Sequence, residues 1–324
     1  MSHFPKRADL VVQFAHVAYQ FETRFAVRET GIRHYQTWTP KETIARIGEA
    51  DIVIATGFWR NELLEAGDRL KFIQVCGAGY DQFDANAIGG RGIKLANASG
   101  CNTNAVAEHA LALILGLTRQ LHGARDNQRK RHWRGMIGEI ERREEEVAGK
   151  TLLIFGAGAI GARVATLAKA FGMRVEGCRR DPAAGDAVFD AVHPSADFLA
   201  QVPRADIVML CCPLTPETAN IVDAEALALM KADAYLINVA RGGCVEEGAL
   251  VDTLRRGAIA GAGIDTTDPE PLCPDSALWD LDNVLLTPHT AGETRGYEDS
   301  VIDILIENIE RLERGDSPLV NEIV

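Results

Sequence analysis

The chain has 324 residues, which at roughly 150 residues per domain predicts about two domains and a sizeable buried core. Apolar residues make up 47% and charged residues 25%, and this composition excludes disordered and fibrous classes. There are 34 Lys and Arg against 46 Asp and Glu, so the net charge is −12. A chain this acidic is a poor general binder of nucleic acid or anionic membranes, and an anionic substrate would need a local positive site.

The first residues and the cysteines indicate the cellular compartment in which the protein is expected. The start, MSHFPKRADLVVQFAHVAYQ, lacks the basic, apolar and small-residue zones of a signal peptide. The most apolar helical stretch, 105–117, is too short to span a bilayer. The 7 cysteines form no C-x-x-C pattern, which favours buried reduced thiols over disulfides or a metal site. We therefore predict a cytoplasmic protein without a bound metal.

Short apolar strands alternate with helical segments in the first part of the chain. The helix that follows them is predicted to run from about Asn104 to Arg131, capped by Thr103 or Asn104. This alternation favours a parallel sheet with helices on both faces. The earlier elements are predicted strands at 10–15, 33–38, 51–56, 72–76 and 93–96, and helices near 18–29, 40–50 and 60–66.

A second series of the same kind starts at Thr151. The last helix, about 293–313, carries apolar residues four, eight and eleven positions after Val301, which form one core-facing stripe. We predict the α/β class, with two doubly wound parallel-sheet domains. The strands of this second series are predicted at 151–155, 174–178, 207–211, 235–239, 261–264 and 284–286.

A glycine-rich loop, Gly156-Ala-Gly158-Ala159-Ile160-Gly161, lies between the apolar strand TLLIF and a helix. Between a strand and a helix, the G-x-G-x-x-G pattern predicts a dinucleotide-binding turn. The first glycine permits the tight turn, the second leaves room for a pyrophosphate, and the third lets helix and strand pack closely. The helix N-terminus then offers N–H groups and a positive dipole end to the phosphates.

The end of the next strand bears on the choice of cofactor. An acidic residue there would bind the ribose hydroxyls of NAD, but Arg179 occupies that place, followed by Arg180 and Asp181. Two guanidinium groups would pair instead with the 2′-phosphate of NADP. We therefore predict NADP, with NAD as the alternative if Asp181 binds the ribose.

In their order and spacing, seven motifs resemble the D-isomer-specific 2-hydroxyacid dehydrogenases, in particular NADP-dependent glyoxylate/hydroxypyruvate reductases. The resemblance runs nearly from end to end. The motifs are VCGAGYDQFD (75–84), SGCNTNAVAEHALAL (99–113), GKTLLIFGAGAIG (149–161), CPLTPET (212–218), INVARGG (237–243), GIDTTDPEPL (263–272) and LTPHTAG (286–292).

The resemblance implies a catalytic set. Arg241 matches the arginine that holds the substrate's carboxylate and carbonyl oxygen, His289 the catalytic histidine, and Glu270 its acidic partner. Asp265 matches the residue that bonds the nicotinamide carboxamide. The residue types suit the chemistry, since a planar guanidinium pairs with a carboxylate and an imidazole transfers protons near neutral pH. Arg241, Asp265 and His289 also follow predicted strands, at the sheet edge where open α/β sheets bind ligands.

The resemblance implies further contacts on both sides of the cofactor. The backbone N–H groups of Ala78 and Gly79 would receive the substrate carboxylate, with Asn102 near the substrate. Four other histidines are interpreted as structural, namely His109, His122, His132 and His193. The cofactor contacts, besides the glycine-rich loop and the two arginines, are Thr103, Cys212, Pro213, Thr218, Val239, Asp265, His289 and Gly292.

The resemblance also implies how the parts are arranged. A flavodoxin-like substrate domain would comprise 1–99 and 293–324, with a Rossmann cofactor domain, 100–292, inserted in it and the active site in the cleft between them. The reaction would be hydride transfer between NAD(P)H and a 2-keto acid, giving a D-2-hydroxy acid. The family implies a homodimer, to which the helix 104–131 would contribute. An NAD-linked D-3-phosphoglycerate-type dehydrogenase and a non-enzymatic, dinucleotide-sensing corepressor-like protein remain alternatives.

Overall fold

The computed structural model describes residues 4–184 and 187–324. The chain divides into two compact units. The first comprises the residues up to Asn102 together with Glu293–Val324, and the second comprises Thr103–Gly292. Each unit has its own parallel β-sheet and its own hydrophobic core.

The first unit is built on a five-stranded sheet in the order β2-β1-β3-β4-β5. All its strand pairs are parallel, and β3 and β4 are buried along their whole length, as expected for strands covered on both faces. The strands are β1 Val11–Ala15, β2 Arg33–Thr37, β3 Ile52–Ala55, β4 Phe72–Val75 and β5 Lys94–Ala96. The helices are α1 Phe21–Ala26, α2 Pro40–Arg46, α3 Leu63–Ala66, α4 Ala85–Gly90 and α11 Tyr297–Arg314.

The second unit is built on a seven-stranded parallel sheet in the order β12-β11-β10-β9-β6-β7-β8. Its strands are β6 Thr151–Phe155, β7 Arg174–Arg179, β8 Ala191–Pro194, β9 Ile207–Leu210, β10 Tyr235–Asn238, β11 Gly261–Ile264 and β12 Val284–Leu286. Its helices are α5 Thr103–Thr118, α6 Leu121–Arg129, α7 Ala159–Ala170, α8 Phe198–Gln201, α9 Ala224–Leu229 and α10 Glu247–Arg255.

Apolar residues fill both faces of each sheet, which is what the doubly wound prediction requires. In the second unit, Ala110 of α5 and Val164 of α7 are fully buried against one face, and Leu250 of α10 lies 2% exposed against the other. In the first unit, Val301 and Leu305 of α11 are fully buried in the core. The two-domain α/β fold is therefore confirmed.

The prediction of one continuous helix over 104–131 is wrong, because two helices form there. The first ends at Thr118, and a second helix starts at Leu121, because Gln120 adopts a left-handed backbone conformation with φ 49°. The first helix is buried along one face, whereas α6 has no buried residue. Neither Gly nor Pro marks the break, so tertiary packing of α5 rather than local sequence sets where it ends.

One strand was not predicted. The segment Ala191–Pro194 forms β8 at the edge of the larger sheet, paired with β7. It is only partly buried and contains His193, whose Nε2 donates a hydrogen bond to the Glu176 carboxylate of β7 at 2.9 Å. An edge strand with few apolar residues gives no periodic pattern to recognise.

Among the residues that the structure describes, no helix is long and apolar enough to cross a membrane.

Candidate active site

Most of the predicted functional residues lie at one edge of the seven-stranded sheet. All strands of this sheet are parallel, so their carboxyl ends meet at the same edge. From β6 the strand order runs outward to β7 and β8 on one side, and from β9 outward to β12 on the other. The direction of winding therefore reverses between the neighbouring strands β6 and β9. Ligands of open α/β sheets bind at such a switch point. The segments that lie at this edge, made of loops together with the end of β7 and the first turn of α7, are 156–161, 179–181, 211–218, 239–243, 265–270 and 287–292.

The glycine-rich loop has the shape that the sequence predicts. Gly156 has φ 112°, and a Cβ there would come within 2.8 Å of the backbone of Cys211 and Cys212. A Cβ at Gly161 would come within 2.5 Å of the carbonyl oxygen of Gly156. These two glycines are therefore required by the packing of the protein itself.

Gly158 differs from its neighbours, because a Cβ added there would have no atom within 4 Å. It is the N-cap of α7, a helix of 12 residues, and it is exposed. The fold gives no reason for a glycine here, whereas a phosphate group approaching the helix N-terminus would. Ala159 and Ile160 form the first turn of this helix. The loop thus fits the pyrophosphate of a dinucleotide.

The two arginines predicted to select NADP lie at the carboxyl end of β7. Arg179 is the last residue of that strand and is half-buried, and Arg180 is exposed just after it. Asp181 Oδ1 accepts a hydrogen bond from the backbone N–H of Ala183 at 3.0 Å, so this carboxylate is engaged in a local turn. The acid within the strand itself, Glu176, is buried and bonded to arginine and histidine side chains.

The loop after β9 is held by its own side chains. The Thr218 hydroxyl donates to the carbonyl oxygen of Pro213 at 2.7 Å and accepts from the backbone N–H of Thr215 at the same distance. Cys212 is buried, with its sulfur 3.9 Å from that of Cys244. The pKa of Glu217 is lowered, chiefly by a hydrogen bond with the Thr215 side chain and more weakly by the positive charge of Arg180, the residue that follows β7.

Arg241 follows β10, two residues after the predicted cofactor contact Val239. Its guanidinium Nη1 donates to the carbonyl oxygen of Ala240 at 2.8 Å. The next residue, Gly242, lies against the backbone of Thr267 and Asp268, which a Cβ at position 242 would overlap. The loop that bears the arginine is therefore packed directly on the loop that leads to Glu270.

His289 and Glu270 form the pair that the sequence predicts. His289 Nδ1 lies 2.8 Å from Glu270 Oε2, and Oε1 of the same carboxylate accepts from the backbone N–H of Thr267 at 3.2 Å. Burial raises the pKa of Glu270, but the hydrogen bond and charge of His289, with Arg241, outweigh it and hold this pKa below its ordinary value. The carboxylate is thus ionised near neutral pH and orients the imidazole.

Asp265, at the end of β11, is 2% exposed and organises the loop that carries His289. Its Oδ1 accepts from the Thr287 hydroxyl at 2.6 Å and from the N–H of Thr290 at 3.0 Å, and its Oδ2 accepts from the N–H of Ala291 at 3.1 Å. These bonds hold the loop in place. The predicted bond from Asp265 to a nicotinamide carboxamide stays a prediction. Gly292 follows Ala291 directly.

His109, which the sequence predicts to be a structural residue on an apolar helix, lies beside this loop, a position that the sequence did not indicate. His109 Nε2 lies 2.9 Å from Thr287 Oγ1 and 3.4 Å from Asp265 Oδ1. The spacing of 178 residues between His109 and Thr287 gave no indication of the contact. A polar residue on an otherwise apolar helix face was the one available sign.

The predicted substrate contacts lie in the first unit. Ala78 and Gly79 follow β4, and the carbonyl oxygen of Ala78 accepts a hydrogen bond from Asn97 Nδ2 at 2.7 Å. The hydroxyl of Tyr297 donates to the carbonyl oxygen of Cys76 at 2.8 Å, which fixes the start of this loop. Asn102 is the last residue of the first unit before α5, which begins at Thr103. Their contacts with a substrate or cofactor stay predictions.

Comparison with known sequences places these features in a family context. The family described as "D-isomer specific 2-hydroxyacid dehydrogenase, NAD binding domain" matches residues 111–291. A glyoxylate reductase of Korarchaeum cryptofilum is 34% identical over 291 residues, which cover 88% of this chain and 86% of that one. A D-3-phosphoglycerate dehydrogenase of Methanocaldococcus jannaschii is 34% identical over 86% of this chain, which spans only 52% of that relative's length.

Solved structures give the same picture. An NADPH-dependent glyoxylate/hydroxypyruvate reductase of Sinorhizobium meliloti, solved with NADP and malonate, has a TM-score of 0.82 and 26% identity. The alignment covers 98% of this chain and 97% of that one. The similarity therefore extends over both compact units.

Proposed function

Because the chain belongs to the D-isomer specific 2-hydroxyacid dehydrogenase family, we propose that it reduces a small 2-keto acid to the D-2-hydroxy acid, with NADPH as hydride donor. The observation that carries this proposal is the His289–Glu270 pair, 2.8 Å apart, in the same unit as Arg241 and the glycine-rich loop. An acid for the developing alkoxide, a cation for the carboxylate and a dinucleotide cradle are what this reduction needs.

The proposed mechanism assigns one task to each side chain. Arg241 pairs with the substrate carboxylate and carbonyl oxygen through its planar guanidinium. Glu270 holds Nδ1 of His289 and favours the imidazolium, so that Nε2–H faces the substrate and gives its proton to the carbonyl oxygen. The nicotinamide supplies the hydride when it is bound. In the reverse direction, neutral His289 accepts the proton.

The substrate class that we propose is a short 2-keto acid such as glyoxylate or hydroxypyruvate. The glyoxylate reductase of Korarchaeum and the glyoxylate/hydroxypyruvate reductase of Sinorhizobium support it, since both align over most of their length with this chain. An NAD-linked oxidation of phosphoglycerate is the second candidate, favoured by the Methanocaldococcus relative.

The deciding experiment measures NADPH and NADH oxidation by the purified protein with glyoxylate, hydroxypyruvate, pyruvate, phenylpyruvate and phosphohydroxypyruvate. Turnover of a small 2-keto acid, well above the rate with phosphohydroxypyruvate, supports the proposal. Preference for phosphohydroxypyruvate would replace it with the phosphoglycerate-type activity. Cofactor binding without turnover of any of these acids would contradict the reductase and favour a dinucleotide-sensing protein.

The preference for NADPH is proposed to come from Arg179 and Arg180. We expect Arg179→Asp to lower the ratio of kcat/KM with NADPH to that with NADH by roughly 10- to 100-fold. The reason is the loss of a charge-assisted hydrogen bond to the 2′-phosphate and its replacement by repulsion. Steady-state kinetics with both cofactors measure the ratio.

The matched control for this substitution is Arg174→Ala. Arg174 lies on the same strand but at its amino end, where Nε donates to Glu176 Oε1 at 2.9 Å. We expect its ratio to match that of the wild-type protein. An unchanged ratio in Arg179→Asp would rule out Arg179 as a contact that selects NADPH.

We also propose that the protein is a homodimer whose contact includes the segment after α5. This segment exposes several apolar side chains, and contiguous exposed apolar surface is typical of interfaces. We expect a mass near twice 35.2 kDa by light scattering, and monomers after Trp133→Glu combined with Met136→Glu. The exposed side chains are Leu121 (57%), Trp133 (97%), Met136 (102%) and Ile140 (70%).

The control for the dimer experiment is Val27→Glu, which alters another exposed apolar residue, 65% exposed, in the first unit. It is expected to remain dimeric. A wild-type protein that is monomeric at micromolar concentration would contradict the proposal.

We place the enzyme in the cytoplasm, since all seven cysteines are free thiols, as expected in a reducing compartment.

A further inference from the structure

The backbone of His289 is in an unfavourable conformation. Its φ is 53°, in the left-handed region that residues with a side chain rarely adopt. The loop therefore has to be held on both sides of His289. The holding group is Asp265, which is bonded to the hydroxyl of Thr287 on one side and to backbone N–H groups of Thr290 and Ala291 on the other.

The contact between Thr287 and His109 has a defined direction. A hydroxyl carries one hydrogen, and that of Thr287 is donated to Asp265 Oδ1 at 2.6 Å. The remaining capacity of Thr287 Oγ1 is that of an acceptor. His109 Nε2, 2.9 Å away, must then carry the hydrogen and donate it. The result is a directed chain from His109 through Thr287 to Asp265.

The surroundings of the three side chains stabilise this chain of hydrogen bonds. The side chain of Asp265 is 1% exposed and that of His109 is 22% exposed, so little water competes for their hydrogen bonds. His109 stands on α5, a helix of 16 residues whose neighbouring residue Ala110 is fully buried in the core. The chain of hydrogen bonds thus joins the packed helix α5 to the loop that bears the proposed proton donor.

We propose that His109 is a positioning residue, which donates its Nε2–H to Thr287 and thereby fixes the loop 287–291 and the ring of His289. This inference rests on the proposed function of His289. A displacement of about 1 Å at a reacting group can cost up to about 100-fold in rate, so a contact that restrains the loop affects kcat without touching the substrate.

Two substitutions separate the hydrogen bond from the volume of the ring. His109→Leu fills similar space but has no donor, and we expect kcat to fall about 10-fold with KM for the keto acid changed less than about 3-fold. In His109→Gln, the amide Nε2 donates at the same reach as the ring Nε2. We expect this variant to recover most of the lost kcat.

A double-mutant cycle tests the route through Thr287. If His109 acts through the hydroxyl, His109→Leu should have little further effect on kcat in the Thr287→Val background. The control is His122→Leu on α6, which should leave kcat unchanged. The proposal is overturned if His109→Leu keeps wild-type kcat, if the Leu and Gln variants are equally impaired, or if the effects of His109→Leu and Thr287→Val are additive.

A measurement on the free protein keeps this inference separate from the proposed function. In ¹⁵N-histidine-labelled protein, NMR distinguishes a protonated from an unprotonated ring nitrogen, and His109→Gln identifies the signals of His109. We expect the hydrogen of His109 on Nε2. A hydrogen on Nδ1 alone would overturn the proposal whether or not the enzyme turns over a keto acid. Failure of all keto acids with His109 protonated on Nε2 would instead count against the reductase.

Discussion

Replacing His289 by Gln is expected to lower kcat by about 10²- to 10⁴-fold, the range that general acid catalysis contributes. The amide cannot deliver a proton to the developing alkoxide, although it can still form a hydrogen bond. The binding of the cofactor should change much less than kcat, because the glycine-rich loop is unaltered and the amide can still form a hydrogen bond. Single-turnover oxidation of NADPH with excess keto acid measures the chemical step directly.

Two comparisons make the result for His289 interpretable. Glu270→Gln should cause a smaller loss than His289→Gln, since the proton donor remains and only the negative charge 2.8 Å from Nδ1 is lost. His122→Gln, on α6, should match the wild-type protein. Full turnover by His289→Gln would remove His289 from the mechanism, and the Glu270 pair would then have a structural role only.

The second large effect is expected in the glycine-rich loop. Gly158→Ala should raise Kd for NADPH by roughly 10- to 100-fold, the value of one or two charge-assisted hydrogen bonds, while lowering the free energy of unfolding by less than about 1 kcal/mol. The reason is that a Cβ there meets no atom of the protein within 4 Å but would occupy the space of a pyrophosphate. Cofactor titration by fluorescence and urea unfolding measure the two quantities.

Gly156→Ala serves as the contrasting variant. Its Cβ would come within 2.8 Å of the backbone at Cys211 and Cys212, and φ 112° is unfavourable for alanine. We expect about 3 kcal/mol less free energy of unfolding, with the loss of cofactor binding secondary to it. If Gly158→Ala binds NADPH as tightly as the wild-type protein does, the loop does not hold the phosphates.

Most of the fold could be predicted because the strands of a doubly wound sheet are buried on both faces. Such strands appear in the sequence as short apolar runs, for example TLLIF at β6, which begins and ends where predicted. The prediction failed where local sequence does not decide the structure. Gln120 breaks the helix without Gly or Pro, and the polar edge strand β8 has no apolar run.

In the candidate site, too, some residues could be predicted from the sequence and others could not. The glycine-rich loop and the residues Arg241, Glu270 and His289 stand in motifs of recognisable spacing, so they could be named from the sequence. The contact of His109 with Thr287 could not, because it joins residues 178 positions apart and neither stands in a pattern that requires the other. Hydrogen-bond networks of this kind depend on tertiary packing, which periodicity does not encode.

The backbone contact at Gly242 has a consequence for directed evolution. A library randomised at position 242 is expected to return almost only glycine, because any side chain there would push the segment Thr267–Asp268 away from the Arg241 loop. The adjacent Gly243 is less restricted, since its Cβ would meet the movable side chain of Leu214 at 3.2 Å. Variation next to Arg241 is therefore easier to introduce at position 243, together with a smaller residue at position 214, than at position 242.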